Sequence, residues 1–126
     1  MKNMNITTSH RDIGLQGEEE AVRFLVENGY RILARNWQFR HLEVDIIAED
    51  EEFIVFCEVK TRKDKRYGEP ETFVTREKQK NIIAAAGAYL RYFHISKEVR
   101  FDILAVIRTP ESVEINHLKD AYKPRW

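Results

Sequence analysis

Asp45, Glu58 and Lys60 are the residues of this chain whose types and spacing could do chemistry. Asp45 stands inside the apolar run Val44-Asp45-Ile46-Ile47-Ala48, and Glu58 and Lys60 lie near the end of the run from Phe53 to Thr61. Charged groups are rarely placed where burial is expected unless they are paired or functional. Both runs are rich in β-branched and aromatic residues, so they read as two strands joined by a tight acidic turn. With Glu51-Glu52 as a two-residue turn, Asp50 faces Phe53 and Asp45 falls opposite Glu58. Opposed side chains lie about 5 Å apart, where like charges repel. Lys60 projects from the same side of its strand as Glu58. Two carboxylates that close stay ionised together only with a cation between them. Mg²⁺ or Mn²⁺ would serve: Mg²⁺ accepts few protein carboxylates and keeps several waters. A lysine beside them could orient or deprotonate one such water, or stabilise developing charge. These are the parts of metal-assisted phosphodiester hydrolysis. The turn has no Asn-Gly or Asp-Gly, so nothing local pins the register.

The frame for these residues is a single domain, since 126 residues suffice for one core and not for two of ordinary size. The formal net charge is zero, so no global basic field points to nucleic acid. The charge is patterned instead. Glu49-Asp50-Glu51-Glu52 is an acidic block, and the stretch from Lys60 to Arg66 holds five basic residues and one acid. Arg62, Lys63, Lys65 and Arg66 could grip a phosphate backbone beside the acidic pocket, or could be a solvated loop. The lone cysteine, Cys57, excludes an internal disulfide and fits a reducing cytosol. Its parity is opposite to that of Glu58, which makes it a small core residue rather than a catalytic thiol. The first nine residues have no apolar segment of the kind a signal peptide needs. The longest apolar run, Ile82 to Leu90, is nine residues, too short for a bilayer. A cytoplasmic location follows as the expectation.

In chain order, residues 1–13 read as a flexible arm, residues 14–118 as the domain and residues 119–126 as a tail that could dock through Tyr122 and Trp126. Gly14 to Asn28 has helical periodicity, with Leu15, Ala21, Val22 and Leu25 on one face, and Gly29 ends it as a C′ glycine. Glu18 shares that inward face. It is either a complement to the helix dipole or a third acid aimed at Asp45 and Glu58. Tyr30 to Asn36 alternates as a first strand, and Trp37, Phe39 and His41 lead as packing residues into the second. The stretch from Thr61 to Val74 is a long basic loop, the kind that tends to be functional. Thr75 is the expected N-cap of a helix from about Arg76 to Phe93, with Ile82, Ile83, Ala86, Leu90 and Phe93 as its apolar face. Gln79 lies on that inward face in the first turn, as a buried hydrogen bonder or a contact near the site, while Lys78 and Lys80 flank it outward. Val99 to Ile107 is a strand covered on both faces, with Asp102 in a structural salt bridge. Val113 to His117 is a half-exposed edge strand. The order α-β-β-β-α-β-β implies an α/β fold with a mixed sheet of about five strands flanked by helices.

The chain has no Walker loop, dinucleotide fingerprint, His-Glu-x-x-His or nucleophile elbow, and its four histidines show no metal-ligand spacing. The acid-and-lysine cluster is thus the chemistry that the sequence advertises. Asp45 followed by Glu58-Val59-Lys60 resembles the D…(D/E)xK signature of restriction-endonuclease-like nucleases. Taken with Gly17-Glu18, Arg35-Asn36-Trp37, Glu43-Val44-Asp45-Ile46-Ile47-Ala48, Lys78-Gln79 and Arg100-Phe101-Asp102, the chain resembles the YraN-like family of predicted bacterial endonucleases, itself similar to archaeal Holliday-junction resolvases. The resemblance spans roughly Gly14 to Leu118. It implies that Asp45, Glu58 and Glu18 bind Mg²⁺ or Mn²⁺, that Lys60 is catalytic and that Gln79 sits beside the site. It also implies a nucleic-acid partner, DNA before RNA, which Arg62, Lys63, Lys65, Arg66, Arg76, Lys78 and Lys80 would hold; resolvases act as dimers, and the edge strand or the Trp126 tail could support a homodimer here. Two rivals stand beside this reading: a non-cutting nucleic-acid-binding module of the same fold, and a scaffold in which Glu58–Lys60 is an internal salt bridge.

Overall fold

A computed structural model describes residues 10–63 and 74–124 of the chain, with side chains from Gln16 onward. The elements are α1 (His10–Glu27), β1 (Arg31–Phe39), β2 (Leu42–Glu49), β3 (Phe53–Arg62), α2 (Arg76–Tyr92), β4 (Glu98–Arg108) and β5 (Val113–Leu118). They form one sheet in the order β1-β2-β3-β4-β5, parallel between β3 and β4 and antiparallel elsewhere. This is the expected α/β architecture. The parallel pair follows from α2, which carries the chain across one face before β4 begins.

The sheet separates two cores. On the α2 side, Ile47, Ile54, Phe56, Phe101 and Ile103 pack against Ile82, Ala85, Ala86 and Tyr89. On the α1 side, Ile46, Val55, Cys57, Leu104 and Val106 pack against Ala21 and Leu25. The alternation of β3 and the two-sided burial of β4 both follow from this layering.

Helix α1 starts at His10, four residues before Gly14, so only residues 1–9 of the expected arm remain, and these lie outside the described residues. Its C-terminus closes as a Schellman motif. Gly29, at φ 92°, donates to the Val26 carbonyl, Tyr30 donates to that of Leu25, and both Leu25 and Tyr30 are buried. Thr75 caps α2 by accepting from the Lys78 amide at 3.1 Å. The apolar face of α2 is rotated from the expected one. Ala85 and Tyr89 are buried with Ile82 and Ala86, whereas Phe93 is 48% exposed. Phe93 is the C-cap and no longer follows the helical wheel.

Strand β1 runs on through Trp37 and Phe39, which do not lead into β2 but belong to a hairpin that turns at Arg40-His41. Both rings pack on the α2-side core, as packing residues should. Asp102 is fully buried in the expected structural role. It accepts from the Arg100 guanidinium at 2.8 Å, from the Asp120 amide at 3.0 Å and pairs with His117 at 2.7 Å. Burial pushes its carboxyl up, but His117, Arg100 and the Asp120 amide outweigh this and hold it below the usual range. Tyr122 stacks on Phe101 with centroids 5.4 Å apart; Trp126 lies outside the described residues.

Candidate functional site

The hairpin register places the two acids across from each other. The Asp50 amide donates to the Phe53 carbonyl at 3.0 Å, which closes the turn on Glu51-Glu52. Asp50 also caps that turn, accepting from the amides of Glu52 and Phe53, and so pins a register that the turn residues alone leave open. The ladder then runs Glu49↔Ile54, Ala48↔Val55, Ile47↔Phe56 and Ile46↔Cys57, and the next step would pair Asp45 with Glu58.

At that step the strands part. β3 continues beside β4 as far as Arg62, whereas β2 continues beside β1 alone. Asp45 fills the fork: its Oδ2 accepts from the Val59 amide at 2.8 Å, in place of a strand carbonyl. The pleat is also broken here, because Val44 joins the α2-side core and Ile46 the α1-side core, although strict alternation would put both on one face. On β1, whose register shift lies earlier, between Ile32 and Ala34, Asn36 sits between the pairs Arg35↔Ile46 and Trp37↔Val44 and takes φ 51°. Asn tolerates this left-handed conformation better than most residues. Its side-chain amide donates to Glu18 Oε1 at 3.2 Å, and Arg35 approaches the same oxygen at 3.9 Å.

Glu18 is delivered by a close approach of α1 to the sheet. A Cβ on Gly17 would lie 2.0 Å from Thr61 Oγ1 and 3.2 Å from Thr61 Cβ. Only glycine lets the helix lie down on β3 there, and the next residue along is Glu18. With α1 beginning at His10, Glu18 lies beyond the first turn and no longer complements the helix dipole; it belongs to the acidic group. Burial pushes its carboxyl up, Asn36 and Arg35 draw it down, and Glu43 and Glu58 raise it again.

Glu58 is 3% exposed. Its Oε2 lies 3.3 Å from Lys60 Nζ and 3.7 Å from Lys78 Nζ, and its Oε1 is buried with no partner. Burial pushes Asp45 up to about 7, with Glu58 and Glu18 adding to the rise and the Val59 amide and Lys78 opposing it. Among the described residues, then, Asp45 has no cation of its own and Glu58 holds an acceptor oxygen without a hydrogen-bond partner. Both features fit a divalent cation. Among the described residues no three His, Cys, Asp or Glu side chains already form a ligand cage. The donor set is instead two facing carboxylates with a third acid behind them, which suits an ion that keeps much of its water.

The remaining sequence-based candidates divide. Lys78 is not outward: it is half-buried, and its ammonium turns back to Glu58. Arg76 and Lys80 are exposed on the first turns of α2. Gln79 is half-buried, and its amide donates to the Val74 carbonyl at 3.2 Å, holding the entry into α2. Arg62 and Lys63 end β3, with Arg62 donating to the Thr61 carbonyl. Lys65 and Arg66 lie outside the described residues. Sequence reasoning includes Asn36 in the resemblance but gives it no role, and it does not find the pairing of Lys78, whose long stem defeats the helical wheel. It expects Tyr122 to dock the tail, as it does on Phe101, but not to bring its hydroxyl near the acids. That hydroxyl is buried without a partner, and burial and then Glu58 raise its pKa.

The cysteine and the acidic turn have structural work. Cys57 is fully buried, which pushes its thiol up and keeps it protonated. Glu49 binds Arg31 and Lys97, and these partners hold its carboxyl below the usual range. No helix among the described residues is long and apolar enough to cross a membrane.

Comparison with known proteins places this site in a family. The model of the uncharacterised protein family UPF0102 matches residues 17–106, from Gly17 beside Glu18 through β4. A UPF0102 protein of Phocaeicola vulgatus is 43% identical over 118 residues, covering 93% of this chain and 98% of its own. One from Parabacteroides distasonis is 44% identical over 111 residues, covering 88% and 92%. One from Chlorobium phaeobacteroides is 53% identical over 97 residues, covering 76% and 77%.

Proposed function

The chain belongs to the uncharacterised protein family UPF0102, and we propose that it is a metal-dependent endonuclease that hydrolyses phosphodiester bonds in nucleic acid. The observation that carries this reading is the orphaned oxygen of Glu58, buried at the fork of β2 and β3 and facing Asp45 across it. A bound Mg²⁺ or Mn²⁺ would supply the positive charge that the acids lack and would polarise a water and a phosphoryl oxygen. Asp45, Glu58 and Glu18 would hold it.

The protein's own groups divide the remaining work. Lys60 shares the face of Glu58, and its ammonium, 3.3 Å from Oε2, is positioned to orient the attacking water and to stabilise charge on the phosphate. Lys78 approaches the same Glu58 oxygen at 3.7 Å and helps to hold that side chain in place. The Val59 amide fixes the Asp45 rotamer, and Asn36 with Arg35 fixes Glu18. Arg62, Lys63, Arg76 and Lys80 surround this cluster with positive charge that a phosphate backbone would meet. The resemblance to junction resolvases favours branched or structured DNA.

The scaffold reading draws on the Glu58–Lys60 ion pair. It also expects Asp45 to be matched by an arginine, whereas among the described residues the hydrogen-bond partner of Asp45 is a backbone amide. The test is cleavage of four-way, flapped and linear DNA with Mn²⁺ or Mg²⁺. Asp45→Asn, Glu58→Gln and Lys60→Ala should each lower the rate by about 100-fold or more, the scale of losing a group that acts in the transition state. Wild-type far-UV circular dichroism in each variant would show that the fold survives. Cleavage undiminished in both acid variants would overturn the proposal.

A further inference from the structure

Beside the acids, α2, the tip of the β1–β2 hairpin and the C-terminal segment enclose a groove of about 790 Å³. Its walls are apolar, with Ile83 from α2, the Tyr122 ring from the tail and Phe39 from the hairpin, whose ring stacks on Trp37 and carries the Arg40 guanidinium at 5.1 Å, a contact that an incoming base would displace or share. Its rim is cationic: Arg76, Lys80, Arg91 and Lys123 line it, and among the described residues no carboxylate does. Lys123 is paired with Asp120, but among the described residues no acid pairs with Arg76, Lys80 or Arg91. Three exposed cations without counter-charge around an aromatic slot form an unusual surface on a chain of zero net charge.

We propose that this groove receives unpaired nucleotides of the nucleic acid, their bases against Phe39 and Tyr122 and their phosphates against Arg76, Lys80 and Arg91. The inference rests on the nuclease reading of the neighbouring acids and narrows its substrate to strands with unstacked bases, such as flaps, gaps and branch points. The chemistry is that of single-strand grooves in general, which combine a positive track for the backbone with aromatic faces for the bases. A duplex offers phosphates to the rim but no base faces to the walls. The volume falls within the range of about 300–1,000 Å³ typical of small-ligand pockets. The groove also adjoins the acids. Gln79 lines it one residue beyond Lys78, which contacts Glu58, and Tyr122 is a wall residue whose hydroxyl feels the Glu58 charge.

The test measures binding of the full chain, in EDTA, to fluorescent oligodeoxythymidine and to a blunt duplex of equal length. The wild type should bind the single strand more tightly. Phe39→Ala should weaken single-strand binding by about five-fold or more, the loss expected for one stacked base, and leave duplex binding unchanged. Ala84→Glu adds an acid to the floor on an exposed helical position and should act in the same direction without touching the core. Equal affinity of the wild type for the two probes, or unaltered single-strand binding in both variants, would overturn the inference. Because the readout needs no metal and no cleavage, it fails or succeeds separately from the nuclease reading, which Asp45→Asn tests.

Discussion

Asp45 is the residue on which the site's economy of charge turns. Its carboxyl, ordinarily at 3.8, is pushed up to about 7 by burial, then by Glu58 and Glu18. The folded state therefore holds a proton that the unfolded chain gives up. The native state takes that proton up between the two values, so stability falls as pH rises from about 4 to 7 and stays lowered above. Asn at this position can still accept from the Val59 amide through its own Oδ1, without the charge. In chelator, Asp45→Asn should melt several degrees above the wild type at pH 8 and level with it at pH 4, as followed by calorimetry. Parallel melting curves across that range would mean that the carboxyl is not strained by its neighbours. Added Mn²⁺ should raise the melting temperature of the wild type and leave that of the variant in place. The β2–β3 register that brings Asp45 and Glu58 to the same end of the ladder is legible in the sequence as the register of a two-residue turn, although Asp50 and not the turn residues pins it. The positive φ of Asn36 is not legible, because nothing in its neighbours along the chain announces a left-handed residue inside a strand.

At the scale of elements, α1 is held against β3 by an absence. Gly17 gives the helix its close contact with Thr61, and a methyl there would meet three atoms of that β-branched side chain at 2.0, 3.2 and 3.3 Å. Rotation of Thr61 relieves the first clash and not the contact with its Cβ. Gly17→Ala should therefore destabilise the protein by about 1–3 kcal/mol in denaturant titration, although alanine is the better helix former. Because Glu18 rides on the same turn, the variant should also weaken Mn²⁺ binding. A gain in stability would show that the helix has room to spare. The Gly17-Glu18 pair is visible in the sequence, but the reason for the glycine is not, since Thr61 lies far along the chain. The ends of α2 show the same division. Thr75 announces its N-cap, whereas the C-terminus closes with His94 at φ 54°, where the sequence shows no glycine.

The described residues form a sheet that carries a core on each face and opens between β2 and β3 at one end of their ladder. Hydrophobic alternation in β3 and the doubly apolar β4 are enough to predict the layers, and the spacing of helix and strand patterns predicts their order. Only long-range packing shows where β2 leaves β3 and that the C-terminal segment returns to Phe101 beside the site. The fork puts a buried, under-neutralised acidic group next to an exposed cationic groove, and those two surfaces together are what the proposed chemistry needs. The central claim is that the acids of the fork hold a divalent cation. Residue-resolved NMR during a Mn²⁺ titration tests it most directly. Paramagnetic broadening should begin at Asp45, Glu58 and Glu18 and spread to Val59 and Lys60, leaving the hairpin turn sharp, because Glu49 and Asp50 already have partners there. Broadening centred on Glu49 to Glu52, with the fork unaffected, would contradict it.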